Sequence, residues 1–339
     1  MLILKKFLCQ VSNNFYYIKV DGIIMKTVYI ILFFTIIFLS CTKVDDFSKG
    51  ENGGDVSLKK SVHRTYVVLL GTGTPNAEPE RSGSAVAVVV NNSVYLVDCG
   101  SGVVRRAVAA FKKGIKALEV KNLDKLFVTH LHSDHTAGYA DLILTPWILG
   151  REKPLRVFGP KGIGRMTSHL LDAYSEDIGN RLGGLEPINR RGYKVEVREY
   201  KEGLVYQDSN VNVYAYRVEH AGWQEAYAFQ FVTKDRVVTV SGDCRPCEGI
   251  VAASMGSDLL VHEAYSYIGY LTREPKWQKY HRNAHTSTKE LAELALKVKP
   301  KMVVMYHVLS WGARPEVMVN EVRQIYGGKV VCGEDLGVY

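Results

Sequence analysis

Apolar positions along the chain fall into two kinds of run. Short apolar runs at residues 66–70, 85–90 and 94–97, and at 125–128 and 155–158, where Lys125 and Arg156 are the polar exceptions, read as strands. Asn91-Asn92, between the second and third runs, marks a hairpin turn. Longer stretches with apolar residues every three or four positions read as helices at about 103–113, 134–149 and 162–182; Met166, Leu170, Leu171 and Tyr174 form the buried face of the last. A second batch of strands follows at 194–200, 204–206, 211–218, 226–232 and 237–240, then a helix near 249–256 and a short strand at 259–261. Ser287-Thr288-Lys289-Glu290 matches the S-x-x-E capping box, which satisfies orphan amides at the start of a helix carried by residues 291–298. Residues 302–306, 316–326 and 330–332 close the pattern as strand, helix and strand. Two batches of strands, each followed by helices, predict an α/β protein in which two mixed sheets pack together with helices outside, an αβ/βα sandwich.

The front end has a different character. Residues 28–40 read VYIILFFTIIFLS, an uncharged stretch that suits the core of a signal peptide and is short of the roughly 20 residues of a membrane span. Lys26 precedes it and Cys41 follows, and Leu39-Ser40-Cys41 resembles a bacterial lipoprotein cleavage site. The resemblance implies cleavage before Cys41, lipid on its thiol, and a protein exported and anchored to the bacterial cell envelope. Met25 directly precedes Lys26 and offers an alternative start. Residues 41–64 are polar and glycine-containing and read as a flexible tether, so the expected organisation is a signal peptide at 1–40, the tether at 41–64 and one domain at 65–339.

Composition adds little to this picture. The formal net charge is +8, but residues 1–40 hold four Lys and one Asp, so the remainder carries 39 basic against 34 acidic groups, too diffuse an excess to argue for a nucleic-acid surface. Cys244 and Cys247 make a lone C-x-x-C, open to either a local disulfide or two unpaired thiols.

Chemistry concentrates in Thr129-His130-Leu131-His132-Ser133-Asp134-His135. Of the ten histidines in the chain, three fall here beside a carboxylate, just after the apolar run that ends at Val128. His130 and His132 are two apart and point the same way in an extended segment, while Asp134 and His135 turn into a helix and aim a few Å away. Neutral imidazoles and ionised carboxylates suit Zn²⁺, and the same set admits Mn²⁺ or Fe²⁺. Four further positions follow predicted strands: Asp98, His220, Asp243 and His307. His63, His169 and His281 have no motif around them and read as surface residues.

These residues resemble the metallo-β-lactamase-fold hydrolases, in the branch of ribonuclease Z and the arylsulfatases of that fold. Supporting segments are Gly71-Thr72-Gly73-Thr74-Pro75, Asp98, the H-x-H-x-D-H run, His220, Ser241-Gly242-Asp243, Leu260-Val261-His262-Glu263-Ala264, His285-Thr286-Ser287 and His307. The resemblance implies two zinc ions, one on His130, His132 and His220, the other on Asp134, His135 and His307, with Asp243 bridging. It implies ester hydrolysis by an activated water, with Asp134 taking the water's proton and His285, just before a helix start, contacting the scissile group and helping the leaving oxygen. Asp98 would fix the tautomer of a ligand histidine, and His262 would be a structural or supporting residue.

Ribonucleases Z of the arm-bearing bacterial type carry a long insertion between the positions matching His220 and Asp243, whereas only residues 221–242 lie between them here. The expected partner is therefore a small anionic ester, phosphodiester or sulfate, rather than tRNA. A ribonuclease Z-like endonuclease and a metal-binding protein without catalysis are the alternatives, and a homodimer is left open. Tyr265 to Tyr270 and Trp277 to Arg282 precede His285, and their aromatics and cations could stack on a ring and hold an anion, or form a packed loop without such a role.

The lipoprotein reading is testable on its own. Cys41→Ala should release the protein from the membrane fraction or block its processing; unchanged fractionation would refute the anchor.

Overall fold

The computed structural model describes residues 64–339 and two short strands near the N-terminus. The chain divides into two compact units, Met1–Lys60 and Ser61–Tyr339. Within the first, β1 (Gln10–Ser12) pairs antiparallel with β2 (Phe15–Tyr17). The expected signal segment, Cys41 and the tether up to residue 63 lie outside the described residues. Among the described residues no helix is long and apolar enough to cross a membrane.

The second unit contains two sheets. Six strands order as β3 (Thr65–Gly71), β4 (Ala85–Val90), β5 (Ser93–Val97), β6 (Lys125–Phe127), β7 (Leu155–Gly159) and β8 (Val195–Glu199). Seven order as β15 (Val330–Cys332), β14 (Met302–Leu309), β13 (Leu259–Tyr265), β12 (Val237–Val240), β11 (Tyr227–Thr233), β10 (Val211–Arg217) and β9 (Gly203–Gln207). Both sheets are mixed: β3–β4–β5 and β9–β12 pair antiparallel, while β5–β8 and β12–β15 pair parallel.

The unbroken apolar runs are explained by burial on two sides. Along β4, Val86, Val88 and Val90 face a core shared with the other sheet, where they join Phe229, Phe231, Val261 and Tyr306. Ala85, Ala87 and Val89 face the other way, into a core completed by Val104 and Ala107 of the helix Val103–Lys112 and by Trp147. A third core lies beyond the second sheet, where Leu260, Val303 and Met305 meet Leu291 and Ala295 of the helix Thr288–Val298. Three cores separate four layers, helix, sheet, sheet, helix, as the two batches of strands predicted.

Two predicted helices are broken. The expected helix at 134–149 splits into Ser133–Thr136 and Tyr139–Ile148 around Gly138. The Gly138 amide donates to the Cys99 carbonyl at 2.8 Å, and a Cβ on Gly138 would stand 2.5 Å from the Gly100 oxygen. The expected helix at 162–182 becomes Ile163–Ala173 and Ser175–Gly183, divided at Tyr174. Two helices were not foreseen: Tyr267–Leu271, capped by the Ser266 hydroxyl, and Pro275–Ala284, with proline in its first turn. Residues 259–261 and 302–306 prove to be the starts of longer strands, β13 and β14, and these extensions carry functional side chains.

Gly138 stitches the H-x-H-x-D-H helix to the loop after β5, since the Cys99 amide in turn donates to the His135 carbonyl at 2.8 Å. Gly138→Ala should cost about 1–3 kcal/mol by overpacking and should weaken metal uptake at Asp134 and His135. Thermal unfolding and metal titration of the variant check this; wild-type values in both would show that the close approach is unimportant.

Candidate metal centre

The site gathers at one end of the strands. Asp98 directly follows β5, His130 lies three residues past β6, His220 three past β10, and Asp243 three past β12. His307 differs from expectation, because it lies inside β14. There Tyr306 pairs with Glu263 and Val308 with Ala264, so His307 is the extra residue of a β-bulge, in left-handed backbone at φ 44°. The bulge aims the imidazole at Asp134 and Asp243 rather than into the regular alternation of the strand.

Seven side chains converge in two groups that share Asp243. His130, His132, His220 and Asp243 form one; Asp134, His135, His307 and Asp243 form the other, the ligand atoms within each lying within 4.8 Å of one another. In the first group His132 Nδ1 stands 2.9 Å from His130 Nε2 and 3.1 Å from His220 Nε2. In the second, Asp243 Oδ1 is 3.3 Å from His135 Nε2 and 3.5 Å from His307 Nδ1, while Asp134 Oδ2 is 3.0 Å from His307 Nε2.

Hydrogen bonds fix which nitrogens are bare. His220 Nδ1–H donates to the Ala284 carbonyl at 2.7 Å, which leaves Nε2 as a lone pair. The Thr129 hydroxyl donates to Asp98, so it accepts from His130 Nδ1–H at 3.0 Å and leaves His130 Nε2 bare as well. His135 Nδ1–H donates to Asp98 Oδ2 at 2.7 Å, which turns Nε2 toward the carboxylates. Asp98, in left-handed backbone at φ 60°, also accepts the Thr129 amide and so ties the motif to β5. A carboxylate behind a ligating histidine is the arrangement that fixes tautomer and raises basicity at metal sites.

The donor set fits a borderline divalent cation. His135 Nε2, His307 Nδ1 and Asp243 Oδ1 are buried without a hydrogen-bond partner. Ligands at about 2.0–2.1 Å from a tetrahedral ion stand about 3.3 Å from one another, close to the separations around Asp243 Oδ1. Electrostatics agree. Burial opposes charge on every group here, yet Asp243 and Asp98 outweigh it at His135 and hold that imidazole well above its usual pKa, and Asp243 and Asp134 outweigh it at His307 and raise that one. Burial likewise opposes ionisation of Asp243, but His307 and His135 hold its carboxyl well below the usual range. The carboxylates thus demand positive charge in the second group. The first offers neutral imidazoles: burial, with help from neighbouring histidines, holds His130 well below 6.5 and His132 at about 4.

One contact competes with metal in the first group. The Trp223 indole N–H donates to His132 Nε2 at 2.6 Å, which puts the His132 proton on Nδ1. Were His132 to hold a cation through Nδ1, its proton would sit on Nε2 and the indole would have to turn away.

His285 lies beside these groups, its Nδ1 3.9 Å from Asp243 Oδ2. It closes the helix Pro275–Ala284 and precedes by two residues the Ser287 cap of the next helix. The amides at that helix start are not available to an anion: Ser287 takes the Glu290 amide and Glu290 takes the Ser287 amide, completing the predicted capping box. His285 instead leans on Glu263, whose Oε1 accepts from His285 Nδ1–H at 3.2 Å and from the Thr286 amide at 3.0 Å. Glu263 is a residue the sequence reading quoted without a role. Its signal was a carboxylate in the middle of an apolar strand, where an unpaired charge would be costly. Burial, then the nearby Asp243, push its carboxyl well above the usual range.

The remaining candidates separate. His262, on the same strand, lies outside both groups; its Nδ1–H donates to the Glu263 carbonyl at 2.6 Å, and its Nε2 is 3.9 Å from Cys244 Sγ. Cys244 and Cys247 are free thiols. His281 is a correction: it is buried between Trp311 and Trp277 rather than on the surface, because the unforeseen helix Pro275–Ala284 turns it inward. His169 is exposed and His63 lies outside the described residues.

Known proteins share this architecture. A family profile described as anti-Pycsar protein Apyc1 matches residues 65–312. Ribonuclease Z of Mycobacterium marinum is 30% identical over 281 residues, covering 80% of this chain and 96% of that enzyme. Ribonuclease Z of Mycobacterium sp. (strain KMS) is 33% identical over 245 residues, covering 72% and 84%. The metallo-β-lactamase fold protein YhfI of Bacillus subtilis superposes with a TM-score of 0.64 at 15% identity, over 81% of this chain and 99% of that one. The short form of human tRNase Z superposes at 0.59 and 23% identity, over 81% and 98%.

The shared carboxylate makes a specific prediction for metal content. The protein should bind about two transition-metal ions per chain under saturating zinc, and Asp243→Ala should impair both positions. Asp98→Asn should keep the fold and weaken metal affinity about 10–100-fold, the cost typical of removing such a support. Metal analysis finding one ion in the wild type, or loss of one alone in Asp243→Ala, would exclude the bridging arrangement.

Proposed function

As a member of the family of the anti-Pycsar protein Apyc1, with the metallo-β-lactamase fold of its ribonuclease Z relatives, the chain is a metal-dependent hydrolase, and we propose that it cleaves a phosphodiester or sulfate ester of modest size. The reading places it outside the cytoplasm, on a lipid anchor at Cys41. The observation that carries it is the buried pair His285–Glu263 set against Asp243, beside two ligand groups that share that carboxylate.

When bound, two divalent ions supply Lewis acidity at the ester and lower the pKa of water. The chain's own residues do the rest. His130, His132 and His220 would hold one ion, Asp134, His135 and His307 the other, and Asp243 both. Asp134 is ready to accept a proton from the attacking water. Burial pushes its carboxyl up, but the His307 hydrogen bond and the charges of His135 and His307 outweigh this and leave it below the usual range. His285 serves the leaving oxygen. Burial lowers its pKa to about 4, so it rests neutral, with Nδ1–H on Glu263 and Nε2 bare. Nε2 would carry a proton from solvent to the departing oxygen, while Glu263, its carboxyl held above the usual range, anchors the ring by accepting from Nδ1–H.

A ribonuclease Z-like endonuclease is the second reading, favoured by the 30% identity across 96% of the M. marinum enzyme. Between β10 and β12 this chain makes only β11 and its flanking turns. That sets it apart from the arm-bearing type, while the M. marinum enzyme is matched over 96% of its own length. Purified protein assayed on bis-p-nitrophenyl phosphate, p-nitrophenyl sulfate, cyclic nucleotides and pre-tRNA decides among the readings. Cleavage of pre-tRNA alone would establish the second, and silence on all of them with metal bound would sink both.

His285→Ala separates metal binding from chemistry. It should keep the metals and the fold and lose about 10²–10⁴ in turnover, as removal of a positioned acid does. The loss should shrink for nitrophenolate, which departs with little need of a proton. Loss of metal on mutation would make His285 a ligand, and wild-type turnover of a poor-leaving-group ester would make it a bystander.

A further inference from the structure

The aromatic residues ahead of His285 separate by exposure. Tyr265 and Tyr270 are buried in a small core with Leu309, against which Trp311 packs. Tyr267 lies under the Lys289 ammonium, 3.8 Å from its ring centre. None of these can receive a ring from solvent. Trp277 and Tyr280 are 43% and 40% exposed.

Both stand at the edge of the face by which the helix Pro275–Ala284 is buried, since His281 and Ala284 point inward one step further round. Behind them the rings are fixed. Trp277 stacks on His281 at 6.0 Å with planes 27° apart, His281 packs on Trp311 at 4.6 Å, and Arg273 closes the far side of Trp311 at 5.6 Å. Tyr280 meets Trp277 edge-on at 6.0 Å and lies 6.2 Å from the His285 ring. An exposed aromatic pair on a rigid backing, one ring from the residue that serves the leaving oxygen, needs no reorganisation to accept a guest.

We propose that Trp277 and Tyr280 form a stacking ledge for a planar ring carried by the substrate, so that the ester cleaved at this site bears an aromatic or heteroaromatic group within one ring's reach of His285. The assignment rests on the hydrolase reading above and deepens it. Trp277 and Tyr280 are positioning residues; the ring they hold belongs either to an aryl ester directly or to a nucleoside, whose base lies one sugar away.

The test is equilibrium binding, which does not depend on turnover. Calorimetric titration of the full-length, zinc-loaded protein with phenyl phosphate, ethyl phosphate and a nucleoside monophosphate compares ring against no ring at equal charge. At least one ring-bearing ligand should bind about tenfold tighter than ethyl phosphate, the order of one aromatic stacking contact. Tyr280→Ala and Trp277→Ala should erase that advantage and leave ethyl phosphate unchanged, while Tyr280→Phe should keep it. An advantage confined to the nucleotide or to phenyl phosphate identifies the source of the ring, and either supports the ledge. Equal affinity for all three ligands in the wild type, or an alanine variant that weakens all three alike, overturns it. Absence of hydrolysis on every ester, with the ring preference intact, would count against the reaction and not the ledge.

Discussion

A single buried carboxylate organises this molecule. Asp243 is 2% exposed and answers to His135, His307 and His220 at once. An ionised carboxyl removed from water is costly unless positive charge and hydrogen bonds surround it. The four-layer fold meets that demand by ending β5, β6, β10 and β12 around one point and by bulging β14 there. Three imidazoles are held by a partner away from the centre: Ala284 for His220, Thr129 for His130, Asp98 for His135. Regular strands alone would not serve, because alternate side chains belong to the two cores. The groups that do chemistry therefore sit just past strand ends or on the irregular residue within one.

The same economy explains Glu263. It lies on β13 opposite the bulge, and its side chain enters the site from behind. Two carboxylates this near one another cannot both ionise freely, and their environments push them apart: Asp243 is held below the ordinary range and Glu263 above it. One carboxylate is thereby reserved for cations and the other for a proton-handling partner, His285. That division follows from burial and Asp243 raising Glu263 and from the imidazoles around Asp243 lowering it, not from the residue types, which differ by one methylene.

Much of this was legible in the sequence. Two batches of apolar strands, each followed by helices, meant two packed sheets with helices outside, and the three cores bear that out. The H-x-H-x-D-H run and the residues after strands marked the candidate donors, because such donors are scarce in this chain, and the family resemblance supplied their division into two groups. What stayed hidden depends on long-range contacts. Gly138 breaks a helix only because the Cys99–Gly100 backbone presses on it. His307 required a bulge, which no local pattern marks. The segment around Trp277 looked like a loop since its helices are short and strongly polar; with them unseen, His281 could not be placed inside. Trp223 had no signal at all, because its contact with His132 spans 91 residues.

Chemistry and selection occupy different parts of the structure. The ligand groups, Asp98 and Glu263 are buried and locked by several partners each, so a substitution there leaves a charge or a donor stranded at a cost of a few kcal/mol. Trp277, Tyr280 and Trp223 stand at the rim, on a polar helix and a short turn, where exchange of one side chain disturbs little else. Exchange of a rim side chain can therefore alter what the site admits while the buried centre stays as it is.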